Sequence, residues 1–413
     1  MSIADHADRL RGFLGIATIL ALAVLLSEDR RAISKRVVAW GLTLQWGFAV
    51  LVLRVPAGRR ALKAAGAGVE AVLDCAMEGA RFVFGEALTS PKGPVGFVFA
   101  FRPLPTVIFV AALFAVLYHL GIMQWIVRGF AAVMTRLMGA SGAESLDVAA
   151  SLFLGQTEAP LTIRPYLPTL TRSELLTVMT AGMAHVSGGM MAAYFAFGVE
   201  PRHILAAVVM TAPGAILISK LLVPETGKPV SSVRGRNLAP PGEDAPQPDA
   251  NLLDAAARGT REGLQLALNI AAMLIAFLGL IALVNKGLGF FGTSLQALLG
   301  TAMAPVAWLL GVPWADAPKV GGLLGTRTIL NELIAFGDLG VLRDKGLIAD
   351  RSFTIATYAL CGFANLGSIG IQLGGIGALA PNRREDLARL GLRALLAGTM
   401  ANYLSACIAG ILL

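Results

Sequence analysis

Three short stretches of this sequence carry polar groups suited to holding a small molecule. Gln156, Thr157 and Glu158 stand in a row inside Gly155-Gln156-Thr157-Glu158-Ala159-Pro160. An amide and a hydroxyl both donate and accept, and an ionised carboxylate adds an acceptor. Such a run can read the edge of a heteroaromatic base. Asn331-Glu332 in a later segment, with Asn365 and Ser368 beyond it, adds a carboxylate, amides and a hydroxyl. One carboxylate can accept from two hydroxyls, which suits a vicinal diol, and Phe363 offers a flat face beside the sugar or base. A ligand with a planar polar end and a polyol end is a nucleoside. On residue type alone, an amino acid or a sugar fits almost as well.

Other chemistries compete for the same residues. Gly139-Ala140-Ser141-Gly142 matches a Gly-x-Ser-Gly nucleophile motif, and His185 lies further on; a Ser–His pair is a legitimate nucleophile and base. That would make an intramembrane serine protease. Yet Ser141 falls in a link after an amphipathic helix, and the motif arises easily by chance in a chain with 47 glycines. No His-Glu-x-x-His run offers metalloprotease chemistry. A passive channel needs a continuous repeating pore, which these two separate polar sites do not supply. The residues therefore point away from an enzyme and call for no cofactor.

The elements that position these groups are read from composition. Of 413 residues, 56% are hydrophobic and 15% charged, against about 25% charged in soluble domains. Residues 263–285, 287–315, 352–382 and 394–413 carry no formal charge, and about 20 apolar helical residues cross a bilayer. The chain reads as an all-α polytopic membrane protein. Its net charge of +8 lies in short segments such as 30–36 and 382–393, where cytoplasmic loops hold Lys and Arg, so nucleic acid is not an expected partner. Three cysteines far apart form neither a disulfide framework nor a metal spacing. The first apolar run is preceded by Asp5 and Asp8 and followed by Arg30 and Arg31. It is expected to be a retained span with its N-terminus outside.

Apolar runs predict spans near 10–27, 36–54, 103–121, 174–198, 202–222, 262–285, 353–380 and 390–413, with amphipathic surface helices over 57–87 and 123–138. Residues 224–251 are proline-rich without an apolar run and read as a cytoplasmic loop. Segments 143–170 and 315–340 carry polar and charged residues in their middles, which is costly at membrane depth and usually functional. Leu137-Met138-Gly139 and Leu309-Leu310-Gly311 precede them, with Ala143-Glu144 and Ala315-Asp316 following at equal offsets. The next spans share small and polar residues at their centres, Ala184-His185-Val186-Ser187-Gly188 and Ala364-Asn365-Leu366-Gly367-Ser368. Each half thus reads as span, amphipathic helix, interrupted segment, broken span, final span. If the interrupted segments re-enter, each half crosses three times and the halves are inverted, a pointer to a midplane substrate site. The expected division is 1–102 (N-terminal spans and surface helix), 103–222 (first repeat), 223–261 (loop) and 262–413 (second repeat).

The 155–161 run, Asn331-Glu332-Leu333 and Cys361-Gly362-Phe363-Ala364-Asn365-Leu366-Gly367-Ser368-Ile369-Gly370-Ile371 resemble the signatures of the concentrative nucleoside transporter family. The likeness spans nearly the whole chain, including Leu266-Ala267-Leu268-Asn269-Ile270-Ala271-Ala272-Met273-Leu274-Ile275-Ala276-Phe277. It implies eight spans, two re-entrant hairpins and a homotrimer in the lipid bilayer of a bacterial inner membrane, with both termini periplasmic. It also implies a substrate-carrying unit moving as an elevator against a scaffold. By position, base contacts fall on Gln156, Thr157 and Glu158, with Met190 lining the base side. Ribose contacts fall on Glu332, Asn365 and Ser368, with Phe363 beside them. The expected substrate is uridine-like.

One departure bears on the driving ion. Where sodium-coupled members hold Na⁺ with an Asn, a Ser and backbone carbonyls, this chain has Ser151 and His185, with Leu154 still able to offer a carbonyl. Imidazole is a poor partner for Na⁺ and titrates near physiological pH. The expectation is symport with H⁺ rather than Na⁺. Glu158 and Glu332 are the proton-carrying candidates, followed by His185.

Overall fold

The computed structural model describes residues 3–90, 98–232 and 249–413, and all regular structure among them is helical. Most of the 224–251 loop lies outside the described residues. Ile3–Leu25 and Lys35–Leu53 lead into an amphipathic helix, Pro56–Phe84. Then comes a first set of elements: Pro103–His119, the amphipathic Ile122–Met138, a hairpin of Gly142–Ala150 and Ala159–Thr169, a broken span (Arg172–Ala184 and Gly188–Ala196), and Pro201–Leu222. A second set follows in the same order: Leu252–Gly289, Leu295–Leu309, a hairpin of Ala317–Ile329 and Glu332–Asp344, a broken span (Asp350–Leu360 and Leu366–Leu379), and Arg384–Leu412. The repeat read from the sequence is therefore present element by element.

Six of these helices are long and apolar enough to cross a membrane. The other two expected crossings are shorter: the apolar stretch Leu10–Leu25, and the second broken span, whose longer limb is Leu366–Leu379. Leu252–Gly289 has 38 residues, about 57 Å at about 1.5 Å per residue, well beyond a hydrocarbon core of about 30 Å. Its first turns hold a polar cluster, with Arg258 Nε 2.8 Å from Asp249 and Nη1 3.0 Å from Glu262. Its apolar face, including Leu264, Leu268, Ile275 and Leu283, is exposed. The first broken span is instead almost wholly buried, and Pro201–Leu222 and the last helix are mostly so; together with the hairpins they build the interior.

Helix starts follow their caps. Ser141 and Thr171 each form a reciprocal capping box with the glutamate three residues on, Glu144 and Glu174, satisfying two otherwise orphaned amides. The second limb of the first hairpin is a 3₁₀ helix containing Pro165 and Pro168. Those prolines remove the amides an α-helix needs. The matching limb Glu332–Asp344 has no proline and is α-helical.

The basic segments gather at one end of the molecule. Glu28 pairs with Arg172 at 2.9 Å and with Arg393, and its amide bonds Leu222 O at 2.9 Å. Arg36 caps the last carbonyls of Ile122–Met138, bonding Leu137 O at 2.9 Å, where a cation also suits the helix dipole. Of the cysteines, Cys361 and Cys407 are buried, while Cys75 is exposed on the surface helix.

Candidate functional site

A helix broken inside a membrane leaves amides and carbonyls that water cannot reach, so the protein must satisfy them itself. The starts of the half-helices are capped by their own sequence. Ser187 Oγ accepts from Met190 N at 3.3 Å, Asn331 Oδ1 from Ile334 N at 2.9 Å and Asn365 Oδ1 from Ser368 N at 2.9 Å. The ends are served from elsewhere. Asn402 Nδ2, on the last helix, donates to Ala184 O at 2.7 Å and Cys361 O at 2.8 Å, pinning both breaks together. Arg327, wholly buried on the second hairpin, donates to Ala359 O at 2.7 Å, Gly362 O at 3.2 Å and Asn402 Oδ1 at 2.5 Å. Phe363 N completes the junction on His185 O at 3.2 Å. Gly362 is required here, because a Cβ would lie 2.5 Å from Asn402 Oδ1 and 2.8 Å from Ala184 O.

Around this junction the structure collects most of the residues singled out above. Gln156 Nε2 donates to Ser368 Oγ at 3.1 Å, joining the first hairpin tip to the second broken span. Glu332 Oε1 accepts from Tyr194 OH at 3.0 Å and its Oε2 from Asn365 Nδ2 at 3.3 Å. Gln156, Glu332, Asn365 and Ser368 are buried and Phe363 is half-buried. A carboxylate offers about four lone-pair sites, so Glu332 keeps acceptor capacity beyond these two bonds. Tyr194 is held by stacking on Phe336, centroids 4.4 Å apart. Met190 lies buried in the first turn of its half-helix, and Thr157 packs against Gly375. Gln156 fits because Gly182 faces it; a Cβ there would stand 2.9 Å from Gln156 Cβ and 2.7 Å from Gln372 Nε2.

Glu158 sits apart from this group. Its side chain is exposed and turns back to accept from Gly155 N at 3.0 Å, within electrostatic reach of Arg258 and Glu262. The row Gln156-Thr157-Glu158 therefore splits: the amide of Gln156 binds the second broken span, and the carboxylate of Glu158 binds its own hairpin tip. Such a split is invisible in a linear motif.

Ser151 and His185 meet in a second polar contact. His185 Nδ1 lies 3.0 Å from Ala181 O and 2.9 Å from Ser151 Oγ, while Ser151 Oγ lies 2.8 Å from Val148 O. Carbonyl oxygens only accept, so the partners assign the proton to Nδ1 and direct the serine hydroxyl to Val148. Nε2 is buried on the far side of the ring, with the Val208 backbone in its vicinity. Leu154 is half-buried, its amide bonded to Ala150 O at 2.9 Å. The neighbouring Phe153 O accepts from Gly188 N at 2.9 Å and ties the hairpin tip to the first break.

The serine-nucleophile reading finds no geometry. Ser141 Oγ donates to Glu174 Oε1 at 2.6 Å and caps Glu144 N, while His185 engages Ser151. Ser141 belongs to a buried cluster in which Lys220 Nζ pairs with Glu144 at 2.8 Å and Glu225 at 3.2 Å.

Sequence reasoning passed over Arg327, Asn402 and Tyr194 as site residues. Arg327 falls within the charged interruption of residues 315–340 but has no local feature that singles it out. A lone asparagine in the uncharged run 394–413 was a signal for Asn402, since a polar group there needs a partner. Nothing local marks Tyr194.

Comparison with known proteins places this geometry. The family model described as Na⁺ dependent nucleoside transporter C-terminus matches residues 203–410, the corresponding N-terminus model matches 14–87, and a nucleoside recognition model matches 100–200. The chain is 43% identical to an uncharacterized transporter of Haemophilus influenzae, covering 97% of each. It is 41% identical to sodium/nucleoside cotransporter 1 of Rattus norvegicus, over 100% of this chain and 65% of that protein. The inward-facing, substrate-bound structure of CNTnw superimposes with a TM-score of 0.94 at 40% identity, covering 98% of both chains. These relatives are transporters, not enzymes. Matches to one family running from residue 14 to residue 410, on a fold shared with CNTnw, show that the chain belongs to the concentrative nucleoside transporter family.

Proposed function

We propose that this protein imports nucleosides across a bacterial inner membrane by cation symport, with H⁺ as the coupling ion. The observation that carries the substrate reading is the meeting of Gln156, Ser368, Asn365 and Glu332 at the crossing of hairpins and second broken span. An amide beside a hydroxyl suits a base edge, and a carboxylate with spare lone pairs suits a ribose diol. Phe363 and Met190 supply apolar walls, and Thr157 joins them from the hairpin tip. Glu158 would need to swing inward to touch a base; from its present place it acts on the ion or the gate.

The ion reading rests on the Ser151–His185 contact. Na⁺ seeks oxygen lone pairs, whereas an imidazole N–H already occupies the Ser151 oxygen and an imidazole replaces a hydroxyl. Only Leu154 and its neighbours would offer carbonyls. These residues do not suit Na⁺, even though the matching family model is named for it.

Mechanism follows from the packing. The hairpins and broken spans, together with Pro201–Leu222 and Arg384–Leu412, would form the unit that travels with substrate, and Lys35–Leu53, Pro103–His119 and Leu252–Gly289 would form the scaffold. The exposed apolar face of Leu252–Gly289 suits lipid or the neighbouring copies of a homotrimer. The end carrying Glu28, Arg172 and Arg393 would face the cytoplasm, leaving both termini periplasmic.

Uptake of labelled uridine into proteoliposomes under imposed gradients tests this reading. One cation moving down about 100 mV releases about 2.3 kcal/mol, enough for about fiftyfold accumulation at roughly 1.4 kcal/mol per tenfold. Accumulation in sodium-free buffer that rises as external pH falls and collapses with a protonophore is the expected result. Strict sodium dependence at constant pH would remove the H⁺ assignment, and no accumulation under either gradient would remove symport.

A further inference from the structure

Away from the hairpins, a cavity of about 490 Å³ opens where the second helix ends, the surface helix begins and Pro201–Leu222 starts. This is within the usual size range of ligand sites. Arg59, Arg60, Lys63 and Arg202 line it together with His203, against an apolar wall of Val52, Leu53 and Leu62. Arg202 is matched by Glu200 at 2.6 Å. Among the described residues, Arg59, Arg60 and Lys63 have no Asp or Glu side chain at ion-pair distance, and Leu413, which also lines the cavity, has a contact of its own.

Their position makes this charge unusual. The amide end of a helix is its positive pole, where acidic side chains are favoured. Pro56–Phe84 has no acid in its first turn, no side-chain cap, and three cations in its first eight residues. Its acids, Glu70, Asp74 and Glu78, all come later. The start of Pro201–Leu222 lies close by, with Arg202 N 3.7 Å from a Cβ placed on Gly66, but it already carries an acid, Glu200, at its N-cap. One positive helix end and three cations without an acidic side-chain partner thus border one cavity. An anion there would relieve both.

We infer that this cavity binds the phosphate headgroup of an anionic phospholipid. Phosphate is the chemistry that amide ends and arginines share. A lipid rather than a free anion fits because the cavity wall is apolar and continues onto Val50, Leu51 and Val55, which are exposed on the same helix end. A bound lipid would brace the surface helix against the start of Pro201–Leu222. The nucleoside site takes no part in this inference.

The test uses the full-length protein in detergent, with lipid retention read by native mass spectrometry. Phosphatidylglycerol should be retained roughly tenfold or more over phosphatidylcholine, given the attraction of several cations for an anionic headgroup. The double variant Arg60→Ala/Lys63→Ala should lose that preference. Arg81→Ala, on the same helix but outside the cavity, should keep it. Equal retention of the two lipids, or equal loss in Arg81→Ala, would overturn the site. Full displacement by inorganic phosphate would show a soluble anion and overturn the lipid assignment. If the double variant fails to fold, the salt dependence of the wild-type preference still decides, because a headgroup held by three cations must be released at high ionic strength.

Discussion

The two breaks at the centre of the molecule are anchored by different groups. Beside the second break Arg327 makes three bonds and both Glu332 oxygens are occupied, although Asn331 Nδ2, Tyr358 OH and Gln372 Oε1 nearby find no protein partner. At the first, several groups are buried without a protein partner: Gln156 Oε1, Thr180 Oγ1 and both oxygens of Asp147. An unpartnered buried polar group costs about 1–3 kcal/mol, so a fold tolerates a cluster of them only where something else can use them. Unspent hydrogen-bonding capacity is present at both breaks; the difference is that a buried guanidinium holds the second, whereas the first has only neutral caps.

The sharpest way to break that contrast is Arg327→Met. Losing the guanidinium strands two carbonyls and an asparagine oxygen in the interior, a loss of about 3 kcal/mol or more. The expected outcome is a steep fall in folded, monodisperse protein; a thermal unfolding midpoint equal to wild type would show that the second break is not held by this residue. Next in size, Glu332→Gln should lower uridine uptake at least about tenfold while leaving the protein folded, since bonds to a charged group contribute roughly 1.5–3 kcal/mol each. Unchanged uptake kinetics would take Glu332 out of the site. A double variant, Ser151→Asn with His185→Ser, sharpens the other side: two oxygen ligands replace the imidazole, and uptake should gain a several-fold stimulation by Na⁺. Indifference to Na⁺ would place the coupling ion elsewhere. The smallest effect is expected from Ser141→Ala, about 1 kcal/mol of stability through loss of the cap with uptake retained. Abolished function in a folded protein would revive a chemical role for that serine.

Much of the architecture was legible in the sequence because membrane spans are written in one dimension. Uncharged runs gave the crossings, and the paired interruptions gave the repeat. The site was only partly legible. Asn365 and Ser368 lie three apart at a helix start, so their contact is local and readable. Gln156 meeting Ser368, and Asn402 meeting two breaks, are contacts between distant segments that no spacing encodes. The asymmetry of the hairpins could have been read from Pro165 and Pro168, since prolines inside one limb and none in the other cannot give the same helix. The parting of Glu158 from Gln156 followed from no sequence rule.

Asn402 has a mechanical meaning beyond satisfying carbonyls. One amide group touches Ala184 O and Cys361 O together, while its oxygen is held by Arg327. The two crossovers are therefore riveted at a common point, and the distance between them has no freedom to change. Hinging at the breaks would shear three buried hydrogen bonds at once. A hinge is therefore disfavoured at the crossovers, which act as one mechanical joint rather than two.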